Sequence, residues 1–154
     1  MDDIDRRLLE LLVHDARTSY ADLARDVGLS APSVHDRVRR LERDAVLRGS
    51  HADVDPRAVG LGVSALVGLQ QREGVESGDL AVALEQVPEV EDCWFVAGDE
   101  AFLVKVRVRD VDALEQVLGA LRRVPGVSRT RTTVVLSTRF EGRRRIPAAV
   151  EAAD

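Results

Sequence analysis

SYADLARDVGLSAPSVHDRVRRLERDAVL, residues 19–47, decides how the chain is read. It has the pattern of two short amphipathic helices joined by a tight turn. Leu23 and Val27 stand one turn apart with Ala24 between them, which gives the first helix an inward face. Ser19 and Asp22 can each accept a hydrogen bond from the orphan N–H groups of its first turn, as a capping-box pair does. Gly28 ends that helix where φ is positive and a Cβ is costly. Ser30 can cap the second helix, and Pro32 fits its first turn, where a missing N–H breaks no ladder. Val34, Val38, Leu41 and Ala45 then recur at helical spacing as an inward stripe. About half a turn away, at ~100° per residue, lie Ser33, Asp36, Arg39, Arg40 and Arg43. Short polar groups at the N-terminal end with guanidinium groups further along suit a helix entering the major groove of DNA. The same residues fit an ordinary antiparallel helix pair with a solvated arginine face, so the pattern alone leaves both readings open. Between Asp36 and Asp44, four arginines stand against Asp36, Glu42 and Asp44, a net charge of +1. One such helix would hold DNA weakly, which implies that two or more copies act together.

The 154 residues suit one large domain or two small ones. A composition 45% hydrophobic and 32% charged is that of a globular chain. The net charge of −5 and pI near 5.3 argue against a charge-driven nucleic-acid coat and leave room for one confined basic surface. Cys93 is the single cysteine, so no internal disulfide forms and a reducing compartment fits. The acidic start MDDIDRR does not read as a signal peptide, and no apolar run approaches the ~20 residues of a membrane span. The expectation is a soluble, cytoplasmic protein.

Ahead of the opening stretch, Asp2 or Asp3 can cap a helix with Ile4, Leu8, Leu11 and Leu12 on one face, completing a three-helix unit. Gly49 breaks the helical pattern, Ser50 to Val54 reads as a short strand, and residues 56–62 with Gly60 and Gly62 form a linker. The second half changes rhythm. Val63 to Leu69 is strand-like, Leu80, Leu84 and Val87 mark a helix, and Val90 to Val96 and Phe102 to Val108 are strands around a Gly98-Asp99-Glu100 turn. In the second of these strands Phe102, Val104, Val106 and Val108 alternate with Leu103, Lys105 and Arg107, as in a sheet covered on one face. Val111, Leu114, Leu118 and Leu121 mark another helix, and Val127 to Thr138 a last strand. Leu84, Val87, Pro88 and Val90 repeat the spacing of Leu121, Val124, Pro125 and Val127. Two copies of that unit give βαββαβ, the ferredoxin-like arrangement with both helices on one sheet face. The other face, bare and apolar, calls for a second copy of the chain. The expected fold is therefore α+β: a winged/helix-turn-helix three-helix domain over 1–48, a strand and linker over 49–62, a ferredoxin-like domain over 63–139 and a tail over 140–154.

His14, His35 and His51 lie in the N-terminal half, without metal-site spacing and away from Cys93, so no metal, cofactor or catalytic group is expected. Cys93 beside Trp94 reads as packing. His35, flanking the reading helix, is either solvated or near a phosphate. Arg143, Arg144 and Arg145 read as a solvated tail or as a backbone or subunit contact. In the turn Ala97-Gly98-Asp99-Glu100, glycine would let a ligand approach and two carboxylates could receive an ammonium group. A plain β-hairpin turn favours the same residues.

DARTSYADLARDVGLSAPSVHDRVRRLERDAVLRG, Asp15 to Gly49, resembles the N-terminal half of the Lrp/AsnC, or feast/famine, transcription regulators. The family's L-A-x-x-V-G-L-S stands at Leu23 to Ser30 and its R-V-x-R-L-E at Arg37 to Glu42. Val96-Ala97-Gly98-Asp99 and Arg131 to Leu136 resemble the family's ligand-sensing domain, and the likeness covers about residues 3 to 147. It implies a regulator of double-stranded DNA that dimerises through its C-terminal sheets, with dimers assembling into octamers, and no enzyme. By position, Ser30, Ser33, Asp36, Arg37 and Arg40 would contact DNA, with Arg39 on the same outward face. A small effector, an amino acid or a relative of one, would bind between dimers at Ala97, Gly98, Asp99 and Glu100, with Thr133, Val134 and Val135 across the interface. One departure stands out: the family's aspartate two residues after Asp99 is Ala101 here, and Glu100 one step earlier points to the other side of a strand. That departure fits a subclass with another effector, or a DNA-organising protein that senses nothing.

Overall fold

In the computed structural model, which describes residues 1–147, the chain divides into two units. One holds residues 1–52 with residues 140–147, the other residues 53–139. Residues 148–154 of the expected tail lie outside the described residues.

Three helices build the first unit: α1 (Asp3–His14), α2 (Tyr20–Val27) and α3 (Ala31–Arg43). Asp2 is the cap of α1, and the full capping box sits here. Asp2 Oδ1 accepts from the Asp5 N–H at 2.8 Å, and Asp5 Oδ2 accepts from the Asp2 N–H at 3.2 Å. At α2 the box is only half made. Ser19 Oγ accepts from the Asp22 N–H at 3.2 Å, but the Asp22 carboxylate takes the Ser19 hydroxyl at 2.6 Å rather than its backbone N–H. Gly28 at φ 69° closes α2, and Ser30 caps α3 with Pro32 in its first turn. Leu8, Leu23, Ala24, Val34 and Val38 form the unit's apolar centre. The expected stripe stops at Leu41: α3 ends at Arg43, and Ala45 is exposed at φ 54°, off the helical path. Ser50 to Val54 forms no strand. It is exposed throughout and joins no ladder among the described residues, so the helix-turn-helix carries no wing strand there. The expected linker contains a 3₁₀ turn, Pro56–Val59, capped by Asp55.

The second unit runs β1 (Val63–Gln71), α4 (Ser77–Glu85), β2 (Val90–Phe95), β3 (Phe102–Val108), α5 (Val111–Arg123), β4 (Val127–Val135). The strands lie antiparallel in the order β2-β3-β1-β4, the split βαβ arrangement that the internal repeat implies. Leu80, Leu84, Leu114, Val117 and Leu121 from the helices share one core with Ala65, Val67, Leu69, Phe102, Val104 and Val106. Each fully buried leucine or valine there contributes about 1.5–3 kcal/mol. Strand ends differ from the sequence reading for reasons of pairing. β1 runs on to Gln71 because Val127 lies opposite it, past a register shift at Gln70. β4 stops at Val135 because its partner strand begins at Val63, with Val135 opposite Ser64. Val96 leaves β2 to donate its N–H to Ala101 O at 2.9 Å, closing the turn.

The face of the sheet away from the helices is not the bare apolar surface expected. Leu66, Leu103 and Trp94 share it with ion pairs: Lys105 Nζ lies 2.7 Å from Glu91 and 3.5 Å from Asp92, and Arg107 Nη1 lies 3.3 Å from Glu91. Arg107 Nε also donates to Ser64 Oγ at 3.1 Å. The bulge between Val90 and Asp92 brings both carboxylates to these cations.

Candidate DNA-reading face and effector groove

Helix α3 is locked from inside by Val34, Val38 and Leu41, all buried, and this turns its polar side outward. Ser30 and Ser33 are exposed at its start, with hydroxyls 2.8 Å apart and the Ser30 Oγ accepting the Ser33 N–H. Asp36 and Arg39 are exposed on the outward side. His35 packs edge-on against Tyr20, ring centroids 5.1 Å apart, with its Nδ1 3.6 Å from Asp36.

Arg37 and Arg40 are engaged differently. Arg37 Nη1 lies 2.7 Å from Asp2 and 2.8 Å from Asp5, and Arg40 Nη2 lies 2.7 Å from Asp5. The backbone N–H of Asp5, and then the Arg37 guanidinium, hold the Asp2 carboxyl below its ordinary value, while the two carboxylates push Arg37 up. Two expected contact residues therefore bind the start of α1. Asp5 was missed because α1 lies outside the helix-turn-helix pair. A signal was present, since Asp5 is three and four residues before Leu8 and Leu9 and so lies on the inward stripe of α1.

In the second unit, an open groove of about 550 Å³ runs along Gln70, Gln71 and the turn from Phe95 to Ala101. It gathers Ala97, Gly98, Asp99 and Glu100, with Gly98 at φ 153° and open space where a Cβ would stand. Thr133, Val134 and Val135 are not brought to this groove. They pair with Leu66, Ala65 and Ser64, far along β1 from Gln70. Glu100 lies over Gly68, whose missing Cβ would fall 2.6 Å from Glu100 Cγ, and its Oε1 meets Arg131 Nη2 at 2.6 Å. Gln70, Gln71, Phe95 and Gly68 were missed; only the glycine inside a strand pattern hinted at a close approach. Among the described residues no group of three His, Cys, Asp or Glu side chains could hold a metal, and no helix is long and apolar enough to cross a membrane. Cys93 is exposed on β2, with partial burial raising its thiol above the usual value.

The sequence matches the AsnC-type helix-turn-helix domain over residues 1–42 and the Lrp/AsnC ligand binding domain over residues 63–145. The chain belongs to the Lrp/AsnC family. It is 41% identical to the HTH-type transcriptional regulator LrpA of Mycobacterium tuberculosis, covering 96% of this chain and 97% of that one. To the regulatory protein AsnC of Escherichia coli it is 31% identical over 88% of this chain and 90% of the relative. Among solved structures, a feast or famine regulatory protein of M. tuberculosis complexed with L-methionine superposes with a TM-score of 0.89 at 41% identity, over 95% of this chain and 99% of that one. This Lrp/AsnC protein is a DNA-binding transcriptional regulator with the α+β, ferredoxin-like architecture of its relatives.

Proposed function

We propose that this cytoplasmic regulator reads operator DNA with Ser30, Ser33, Asp36, Arg39 and Arg40 on the outer side of α3. Arg37 serves instead to hold that helix on α1. Homodimers form through the C-terminal sheets and assemble to an octamer, so that several weak readers act on one duplex at high effective concentration. An amino acid or related small molecule enters the groove at Ala97 to Glu100. Thr133, Val134 and Val135 of a second copy complete its walls, since in one chain they stand too far along β4 to do so. Occupancy of that seam alters the spacing at which successive reading helices meet the grooves of DNA. The protein catalyses no reaction in this account. The observation that carries it is α3 itself, capped at Ser30 and locked by an apolar stripe while its polar side faces solvent.

A second reading rests on Ala101 and on Glu100, whose carboxylate already has a partner in Arg131. It is an effector-independent DNA-organising protein with the same fold. One set of measurements separates the two. Duplexes enriched from random sequence by the purified chain provide the probe. Arg39→Ala is expected to weaken binding to the enriched duplex about tenfold with the assembly mass unchanged. Calorimetry with a panel of amino acids, L-methionine included, gives saturable heats that Gly98→Arg abolishes while DNA binding persists. A chain that stays monomeric at micromolar concentration and enriches no duplex ends the reading, and absence of any heat selects the second one.

A further inference from the structure

Asp5 is the one buried charged side chain among the described residues, 1% exposed. Its two oxygens receive three donors: Arg37 Nη1 on Oδ1, and Arg40 Nη2 and the Asp2 N–H on Oδ2. The carboxylate sits in the first turn of α1, where the orphan N–H groups and the helix dipole favour a negative charge. A buried ion pair is weak evidence for stability, because well-packed apolar groups in its place are often as stable or more so. What such a pair does supply is a fixed geometry. Arg40 remains 44% exposed although Nη2 is held, so its other donors stay open to solvent at a set position. Free guanidinium groups would instead seek any phosphate within reach, and phosphates carry no sequence information.

Resting on the reading of α3 given above, we infer that Asp5 is a positioning residue for operator recognition. It acts through Arg40, fixing one edge of the guanidinium so that the remaining donors meet a base edge, and it withholds Arg37 and Arg40 from non-specific phosphate contact. Specificity of this helix is thus set partly from a helix that never enters the groove.

The test compares the enriched duplex with a scrambled duplex of the same composition across a range of salt, using the full-length chain. Asp5→Asn keeps the shape and removes the charge. It is expected to lower the ratio of enriched to scrambled affinity about tenfold, the scale of one well-made base contact. It is also expected to steepen the salt dependence by about 0.9 for each arginine released onto a phosphate. In an Arg40→Gln background the same change lowers the ratio much less, because the group that reads the base is gone and only Arg37 is left to release. A merely structural Asp5 gives a different result: both affinities fall together and the salt slope stays put, which overturns the inference. So does a loss of ratio that persists undiminished with Arg40→Gln. Should Asp5→Asn fail to fold, Arg40→Lys carries the test, since an ammonium cannot be held on one edge and present a fork on the other. There the enriched duplex weakens about tenfold while the scrambled one is unchanged, and equal weakening overturns the inference. A wild-type chain that enriches no duplex removes the underlying reading of α3, an outcome distinct from all of these.

Discussion

Each unit of the molecule pairs a sheltered carboxylate with arginine, and the two pairs are built in opposite ways. Asp5 is enclosed and draws two arginines from 32 and 35 residues away, tying α1 to α3. Glu100 lies over a glycine and meets a single arginine, Arg131, which is itself 74% exposed. The first arrangement fixes a surface. The second can be opened from outside, because one partner already stands in water and an exposed pair is worth little. On the proposed reading, a rigid reader and an exchangeable ligand wall need different burial of the same chemistry, and the two units would supply one each.

The supporting cores contrast as well. The helical unit is centred on a cluster of five buried residues, the sheet unit on a larger one running from Ala65 to Val127. Leu121→Ala, in the larger core, is expected to cost about 4 kcal/mol, and Leu23→Ala, in the smaller and more collapsible one, about 3 kcal/mol. Amide exchange then rises in residues 63–135 for the first variant and in residues 3–43 for the second. Spread of either effect through both regions would show one cooperative body. Next in size is Gly68→Ala. A strand glycine replaced by alanine ordinarily gains about 0.5–1 kcal/mol, but here the new Cβ meets Glu100 Cγ, and overpacking costs about 1–3 kcal/mol. Net destabilisation, read as an earlier melting of Trp94 fluorescence, is expected. A gain in stability would mean that Glu100 is not confined.

The mildest perturbation is acid. Asp2, Asp22 and Asp26 in the helical unit are all held below their ordinary values, by the Asp5 N–H and Arg37, by Ser19 and Arg25, and by Arg7 respectively. In the described part of the sheet unit Asp110, held by the Ala113 N–H, is the one carboxylate so shifted. Groups lowered on folding add stability that is complete above the unfolded value near 4 and fades as pH falls through the folded values. The helical unit is thus expected to loosen first below about pH 4, with its amide resonances shifting before Trp94 responds. Trp94 changing first would reverse the assignment.

Much of this was legible in the sequence because it is local. Ser30, Pro32 and Gly28 act within a turn of where they stand, and the repeated Leu-Val-Pro-Val spacing carried the topology of the sheet. What escaped depends on partners distant in the chain. Ala45 continues the helical period of α3, yet nothing in that period shows where the backbone turns to positive φ. Ser50 to Val54 has strand-like residues but pairs with no strand among the described residues. The sheet's open face alternates correctly, but the bulge that delivers Glu91 and Asp92 to Lys105 leaves no periodic trace. On α3 the residue types were visible and their engagement was not, since Asp5 meets Arg37 and Arg40 only once the helices pack. At the groove the turn was evident from Gly98 and Asp99, whereas Gln70 and Gln71 join it through β1.

The pair of Glu100 and Arg131 keeps one charge of each sign at hand beside the groove. A zwitterion settling there would trade one ion pair for two new ones and set no net charge free. Its occupancy would then follow its own abundance and be nearly blind to ionic strength, whereas the grip on a polyanion follows ionic strength closely. On the proposed reading, such a regulator would tell a change in its effector from a change in salt.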